Sequence, residues 1–165
     1  MGQVIPGSID MAQFAQAQRL VKLQNQVNSG ASWFFWIAGM SVLNSVIHAT
    51  GSKMTFVVGL GATQFIDGFG LAAARDLGSG AGLVLQVIAF ALTLCVAGIF
   101  LAFGVMGRKR TRWVIIVGML LYALDALLLL AFGDFAGALF HGLALFGLFR
   151  GLQAINALTQ LEKAG

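Results

Sequence analysis

The chain has 165 residues, of which 59% are hydrophobic and 10% are charged, and its mean hydropathy is +0.90. A soluble domain carries roughly 25% charged residues, so the composition excludes an ordinary soluble protein and predicts an all-α integral membrane protein. Ten Lys and Arg residues against six Asp and Glu residues give a net charge of +4. Because most of these cations fall in segments that the topology below places on one side, we attribute the basicity to the positive-inside bias and predict no nucleic-acid partner.

Residues 1–30 are polar, rich in Gln and Asn, and have no continuous apolar stretch of the kind that a secretory signal needs. Ser8 can cap a helix that runs to about Asn28, with its apolar residues in two roughly opposite stripes. We predict a cytoplasmic or interfacial amphipathic helix that lies along the membrane or under the bundle, with docking to a partner as the alternative.

The first predicted span covers residues 33–50 and opens on an aromatic group, Trp33 to Trp36, that suits the headgroup boundary. It is the most polar of the predicted spans. Asn44 and His48 are spaced i, i+4, which places both side chains on one face of a helix. We expect that face to turn towards other helices.

Residues 54–74 are apolar but contain several glycines and the polar pair Gln64 and Asp67. If this segment crossed the membrane, the basic Gly107–Arg112 segment would lie on the opposite side from the amino-terminal Arg19, against the positive-inside bias. We therefore predict an interfacial or re-entrant segment on the outer side, with a fifth span as the alternative.

The remaining predicted spans cover residues 83–106, 113–132 and 135–155, followed by a cytoplasmic tail at 156–165. Together with the first span they form a membrane domain over residues 31–155, an antiparallel four-helix bundle with both termini in the cytoplasm. Lys53 and Arg75 then lie outside. The cations on the cytoplasmic side are Arg19, Lys22, Arg108, Lys109, Arg110, Arg112, Arg150 and Lys163.

Two GxxxG spacings predict close approach between helix backbones in this bundle. One joins Gly133 to Gly137 and the other joins Gly147 to Gly151. We expect both pairs to act in helix packing.

No catalytic or cofactor motif is present in the sequence. Gly59-Leu60-Gly61 lacks the third glycine of a dinucleotide fingerprint, no Walker lysine follows it, and no His-Glu-x-x-His or Gly-x-Ser-x-Gly sequence occurs. The one cysteine, Cys95, lies within an apolar run and has no partner for a disulfide. We predict a protein that is not an enzyme and has no cofactor.

Every predicted span carries a polar side chain at one depth, roughly 6 to 10 Å below the outer end at a rise of about 1.5 Å per residue. Ionisable groups within a bilayer face the protein interior or a wet cavity, so these residues predict an outward-facing polar pocket. Asp125 and His141 are its most secure pair, because their helices are joined by two residues only. The predicted pocket residues are Asn44, His48, Gln64, Asp67, Gln86, Asp125 and His141.

Three interpretations of this pocket remain open from the sequence. The first is a hydrogen-bonded network that locks the helix packing, and the second is a pathway for a proton, ion or small ligand. The third is a metal site at His48, Asp67, Asp125 and His141, although no ligand-spacing motif supports it.

These features predict a non-enzymatic membrane protein, an accessory or scaffold subunit that contacts other membrane proteins or lipid. The alternative is a small oligomeric transporter or channel that uses the outward-facing polar pocket. We expect residence in a bacterial cytoplasmic membrane. The expected partners are membrane lipid and either other membrane proteins or further copies of the chain.

Overall fold

The computed structural model describes residues 11–50, 59–77 and 79–164. These residues form five helices and no strands: α1 Met11–Ala49, α2 Gly61–Leu77, α3 Ser79–Arg108, α4 Arg112–Ala131 and α5 Phe135–Ala164. By length and composition, α1, α3, α4 and α5 can each cross a membrane, whereas α2 has 17 residues and is not among these candidates. The protein is therefore a multi-pass helical membrane protein.

Helix α1 corrects the prediction of a separate amino-terminal helix. The predicted break between residues 28 and 33 is absent, and one helix continues from Met11 to Ala49. The Ser32 hydroxyl donates to the Asn28 carbonyl at 2.7 Å, and a Cβ added to Gly30 would lie 2.6 Å from the Cα of Gly151. Packing against α5 therefore holds the segment in a helix despite its polar residues. Residues 1–10, which include the predicted cap Ser8, lie outside the described residues.

The core lies where α1 packs against α3 and α5, while α4 packs against α5. Phe34 of α1 is fully buried, and its ring meets the rings of Phe100 and Phe103 edge-on at centroid distances of 6.0 and 5.8 Å. The opposite faces of the helices carry exposed apolar side chains, among them Leu124 and Leu127. Such a surface is stable only in contact with lipid or another apolar partner.

Glycine-mediated packing joins α1 to α5. Gly30 and Gly151 bring the two backbones into contact, and the Trp33 indole lies where a Cβ on Gly147 would be. The predicted packing role of Gly147 and Gly151 thus has a structural counterpart, with Gly30 as the partner that the spacing did not identify.

Gly133 and Gly137, the other predicted packing pair, both belong to the α4–α5 hairpin. Gly133 has φ +80 in the α4–α5 turn, and a Cβ added to it would meet nothing within 4 Å. Gly137 lies against the carboxylate of Asp134 and the side chain of Leu129, within the same hairpin. Gly133 therefore supplies the left-handed backbone conformation of the short turn, whereas Gly137 leaves room for the side chains of Asp134 and Leu129.

The basic Gly107–Arg112 segment forms the α3–α4 turn and closes one end of the bundle. Arg110 has φ 63, and its guanidinium donates to Gln24 of α1 and to Glu162 of α5, both at 2.7 Å. The beginning of α1, this turn and the end of α5 therefore meet at the same end of the molecule.

Helix α2 runs antiparallel to α3 and begins within the bundle. Asp67 contacts Thr93, and Gly70 packs on Ala89, so residue numbers rise along α2 as they fall along α3. Its first residues lie beside Ser41, which is eight residues before the end of α1. Residues 51–58, and with them the start of the segment predicted at 54–74, lie outside the described residues.

Candidate functional site

The candidate site is centred on Asp125, an acidic residue in the middle of an apolar helix. Asp125 is 7% exposed, and its carboxyl group makes three hydrogen bonds. The Gly61 N–H donates to Oδ2 at 2.7 Å, the Ala62 N–H donates to Oδ1 at 2.8 Å, and the Nε2 of His141 lies 2.8 Å from Oδ2. Asp125 therefore joins α4 to the first turn of α2 and to α5.

This arrangement satisfies the amino terminus of α2, whose first N–H groups have no acceptor within their own helix. The preceding residue, Leu60, has no side-chain acceptor, so a carboxylate from another helix provides the cap. A negative group at this position also interacts favourably with the helix dipole. In most helices a residue next to the first turn supplies the capping acceptor, whereas here Asp125 supplies it from α4.

Side chains of α1 and α2 complete the capping. The Leu60 N–H donates to the Ser41 hydroxyl at 2.8 Å, and that hydroxyl donates to the Ile37 carbonyl at 2.8 Å. The Thr63 hydroxyl donates to the Leu60 carbonyl at 2.7 Å. The backbone where α2 begins is thus bonded to protein groups on several sides.

His141 is fully buried, and both of its ring nitrogens are engaged. Its Nδ1 lies 2.8 Å from the Gly137 carbonyl, and because a carbonyl oxygen only accepts, Nδ1 carries a hydrogen. Nε2 and the Asp125 Oδ2 then share one further proton, and the pair has no net charge whichever atom holds it. The Tyr122 ring stacks on the imidazole at a centroid distance of 4.0 Å and an interplanar angle of 15°.

A second polar cluster holds α2 further along its length. Asp67 lies six residues after Gly61, about 9 Å along the helix. Its carboxylate accepts from the Ser45 hydroxyl of α1 and, at 3.4 Å, from the Thr93 hydroxyl of α3. Asn44, one residue before Ser45, is buried and packs against Gly59. A Cβ added to Gly59 would lie 2.8 Å from the Asn44 Nδ2.

Of the seven predicted pocket residues, Asp125 and His141 lie in the first cluster, and Asp67 and the neighbouring Asn44 lie at the second. Gln64 and Gln86 are half-buried, and no hydrogen bond among the described residues connects either to Asp125. His48 lies in α1, but its side chain is outside the described residues. Sequence reasoning did not identify Ser41, Ser45, Thr93 or Tyr122, or the two backbone donors of α2, as members of the clusters.

The predicted metal candidates do not converge within the part of the chain that the structure describes. No three His, Cys, Asp or Glu side chains there lie close enough to hold one ion. Asp125 and His141 contact each other, whereas Asp67 contacts Ser45 and Thr93. Two ligands without a third do not form a typical protein zinc site.

Comparison with protein-family models, curated proteins and solved structures found no match to this chain. The functional argument therefore rests on the geometry of these two clusters and on the distribution of charge.

Proposed function

We propose that the chain is a non-enzymatic scaffold or accessory subunit of a membrane, in which α2 is a re-entrant helix held inside a four-span bundle. Its exposed apolar faces contact lipid or other membrane proteins. The polar interior stabilises this arrangement and carries out no chemistry.

The engagement of the buried Asp125 carboxylate by three protein groups is the observation that carries the proposal. Its carboxylate oxygens accept from two backbone N–H groups and face His141, whose other nitrogen faces the Gly137 carbonyl. A catalytic or transporting carboxylate needs a lone pair or proton that a substrate or water can reach. Here protein groups take three of the roughly four acceptor positions of the carboxylate, and Asp125 is only 7% exposed, which favours a structural role.

The distribution of charge supports the orientation within the proposal. The basic α3–α4 turn contacts Gln24 and Glu162, so the cations near both termini and those of the turn lie at one end of the bundle. The positive-inside bias then favours cytoplasmic termini. In this orientation α2 would begin within the membrane, beside Ser41, and run towards the outer side.

One observation favours the alternative, a proton or small-ligand pathway. The buried Tyr122 hydroxyl has no hydrogen-bond partner among the described residues, and its ring stacks on His141. A buried hydroxyl of this kind often binds an ordered water, and a pathway past Asp125 requires water at some stage.

The substitution Asp125→Asn distinguishes the two proposals. Asn keeps the shape of the side chain, but in either orientation its amide NH₂ faces one of the two α2 N–H donors, because Gly61 and Ala62 bond to different oxygens of Asp125. A stabilising role therefore predicts a loss of about 3 kcal/mol in the free energy of unfolding. Thermal unfolding in detergent measures this loss. Proton flux into liposomes containing the wild-type protein should equal that of empty liposomes.

Asp134→Asn is the matched control. Asp134 caps α5 by accepting the Gly137 N–H at 2.8 Å, and Asn caps a helix about as well as Asp does. We expect its unfolding temperature to match that of the wild type. A normally stable Asp125→Asn protein that has lost a flux present in the wild type would replace the scaffold proposal with the pathway.

A further inference from the structure

A groove between α1 and α5 runs along the membrane-facing surface of the bundle. Its apolar part has a volume of about 460 Å³ and is lined by Trp33, Trp36, Met40, Phe140 and Leu143, among others. An adjoining hollow of about 290 Å³ shares Ser29, Trp33 and Leu143 with it and extends to Gln26 and Arg150. The two hollows therefore form one continuous surface, the α1–α5 groove, with an apolar end and a cationic end.

The glycines that join α1 to α5 explain why the groove is there. Where Gly30 meets Gly151 the backbones touch, and the Trp33 indole lies over Gly147. The large side chains on either side of this contact do not cover it, so they form the walls of the α1–α5 groove, which is open to the surface of the bundle.

The dimensions of the groove fit one leaflet of a bilayer. From Gln26 to Met40 it follows α1 for fourteen residues, or about 21 Å at the rise of an α-helix. Half of a bilayer, headgroups included, is about 20 to 22 Å thick. Arg150 lies beside Gly151, which is level with Gly30, and the neighbouring Ala31 contacts Gly107 at the start of the basic turn. The cationic end of the groove is thus level with that turn.

The cationic end lacks a protein counter-charge among the described residues. Glu162 is the one carboxylate that the structure describes at this end of the bundle, and it pairs with Arg110 at 2.7 Å. The exposed Arg150 guanidinium instead lies 6.0 Å from the centre of the Phe146 ring. A second guanidinium, that of Arg108, donates at 3.1 Å to Ser32, which also lines the groove.

We propose that the α1–α5 groove binds an anionic phospholipid, with an acyl chain along the apolar walls and the headgroup phosphate on Arg150. Arginine suits this role because its planar guanidinium can donate two parallel hydrogen bonds to a phosphate. A second copy of the chain fits less well, because a two-fold dimer across this groove would bring the Arg150 residues of both copies into one interface. The inference deepens the proposed contact with lipid and rests on it.

Native mass spectrometry of the detergent-purified full chain tests the proposal, with phosphatidylglycerol and phosphatidylcholine of identical acyl chains as probes. We expect the wild type to retain phosphatidylglycerol preferentially. Arg150→Gln should weaken that retention about tenfold, to the level of phosphatidylcholine, because a charge-assisted hydrogen bond is lost. Lys109→Gln removes an exposed cation from the same end of the bundle without touching the groove, and it should leave the preference unchanged.

A second variant tests the apolar part of the groove. Leu143→Trp places a larger side chain on an exposed wall position that both hollows share, so it should reduce retention of both lipids without unfolding the protein. Equal retention of the two lipids by the wild type, or equal effects of Arg150→Gln and Lys109→Gln, would overturn the proposal. So would displacement by inorganic phosphate alone, or a dimer that forms without lipid. These results leave the role of Asp125 untouched, so the two proposals fail separately.

Discussion

At the scale of single residues, Tyr122 is the side chain that best tests whether the interior of the protein is dry or hydrated. It is fully buried, and its hydroxyl has no hydrogen-bond partner among the described residues. Its ring nevertheless packs on His141 and meets Phe100 edge-on at 6.3 Å. The ring therefore contributes packing, whereas the hydroxyl adds the cost of burying a polar atom.

We predict that Tyr122→Phe keeps or raises the free energy of unfolding, by up to about 1 kcal/mol, because it removes the buried hydroxyl and keeps the stacked ring. Thermal unfolding in detergent measures the change. A loss of more than about 1 kcal/mol would instead indicate that the hydroxyl is hydrogen-bonded in the membrane and would favour the hydrated pathway.

The pairing of Asp125 with His141 could be predicted from the sequence, because both lie at the same depth on helices joined by a two-residue connection. The two backbone N–H groups of α2 that donate to Asp125 could not be predicted. Backbone N–H groups are the same in every residue, so Gly61 and Ala62 carry no sign that they bond to a carboxylate. Ser45 and Thr93 are equally difficult to assign, since a hydroxyl within an apolar helix usually bonds to its own backbone.

At the scale of helices, the contact between α1 and α5 depends on the absence of side chains. A Cβ on Gly30 would lie 2.6 Å from the Cα of Gly151 and 3.1 Å from the Gly147 carbonyl oxygen. These neighbours are backbone atoms, which cannot rotate away as the end of a side chain can. Close packing of the two helices therefore requires glycine at this position.

We predict that Gly30→Ala lowers the free energy of unfolding by about 2 kcal/mol, because the added methyl group forces the two backbones apart. Gly39→Ala is the matched control on the same helix, since an added Cβ there meets nothing within 4 Å. That variant should be as stable as the wild type or slightly more stable. Chemical unfolding in detergent compares the two, and equal stability of both variants would contradict the observed packing.

The helical class and the four membrane-spanning segments could be predicted because long apolar runs carry a strong signal. The spans 83–106 and 113–132 agree with α3 and α4 to within a few residues. Helix boundaries that depend on packing could not be predicted from the sequence. The polar residues before Trp33 suggested a break, but contact with α5 keeps α1 continuous. The start of α2 could not be predicted either, because the side chain that caps it belongs to a distant part of the chain.

At the scale of the whole molecule, polar groups and charges have separate places. The basic residues near Arg110 lie at one end of the bundle, and the neutral Asp125–His141 pair lies in its interior. The outer faces of the helices are largely apolar. This arrangement suits a protein whose interior holds its helices together and whose surface contacts lipid and partners.

The measurement that tests this account most directly is single-cysteine labelling with a membrane-impermeant thiol reagent in a Cys95→Ala background. Thr63, fully buried in the first turn of α2, reports whether water reaches that turn. We predict that Thr63→Cys reacts from neither side of the membrane, Lys109→Cys only from the cytoplasm and Thr50→Cys only from outside. Reaction of Thr63→Cys in the folded protein would contradict a protein-filled interior, and reaction of Lys109→Cys from outside would contradict the proposed topology.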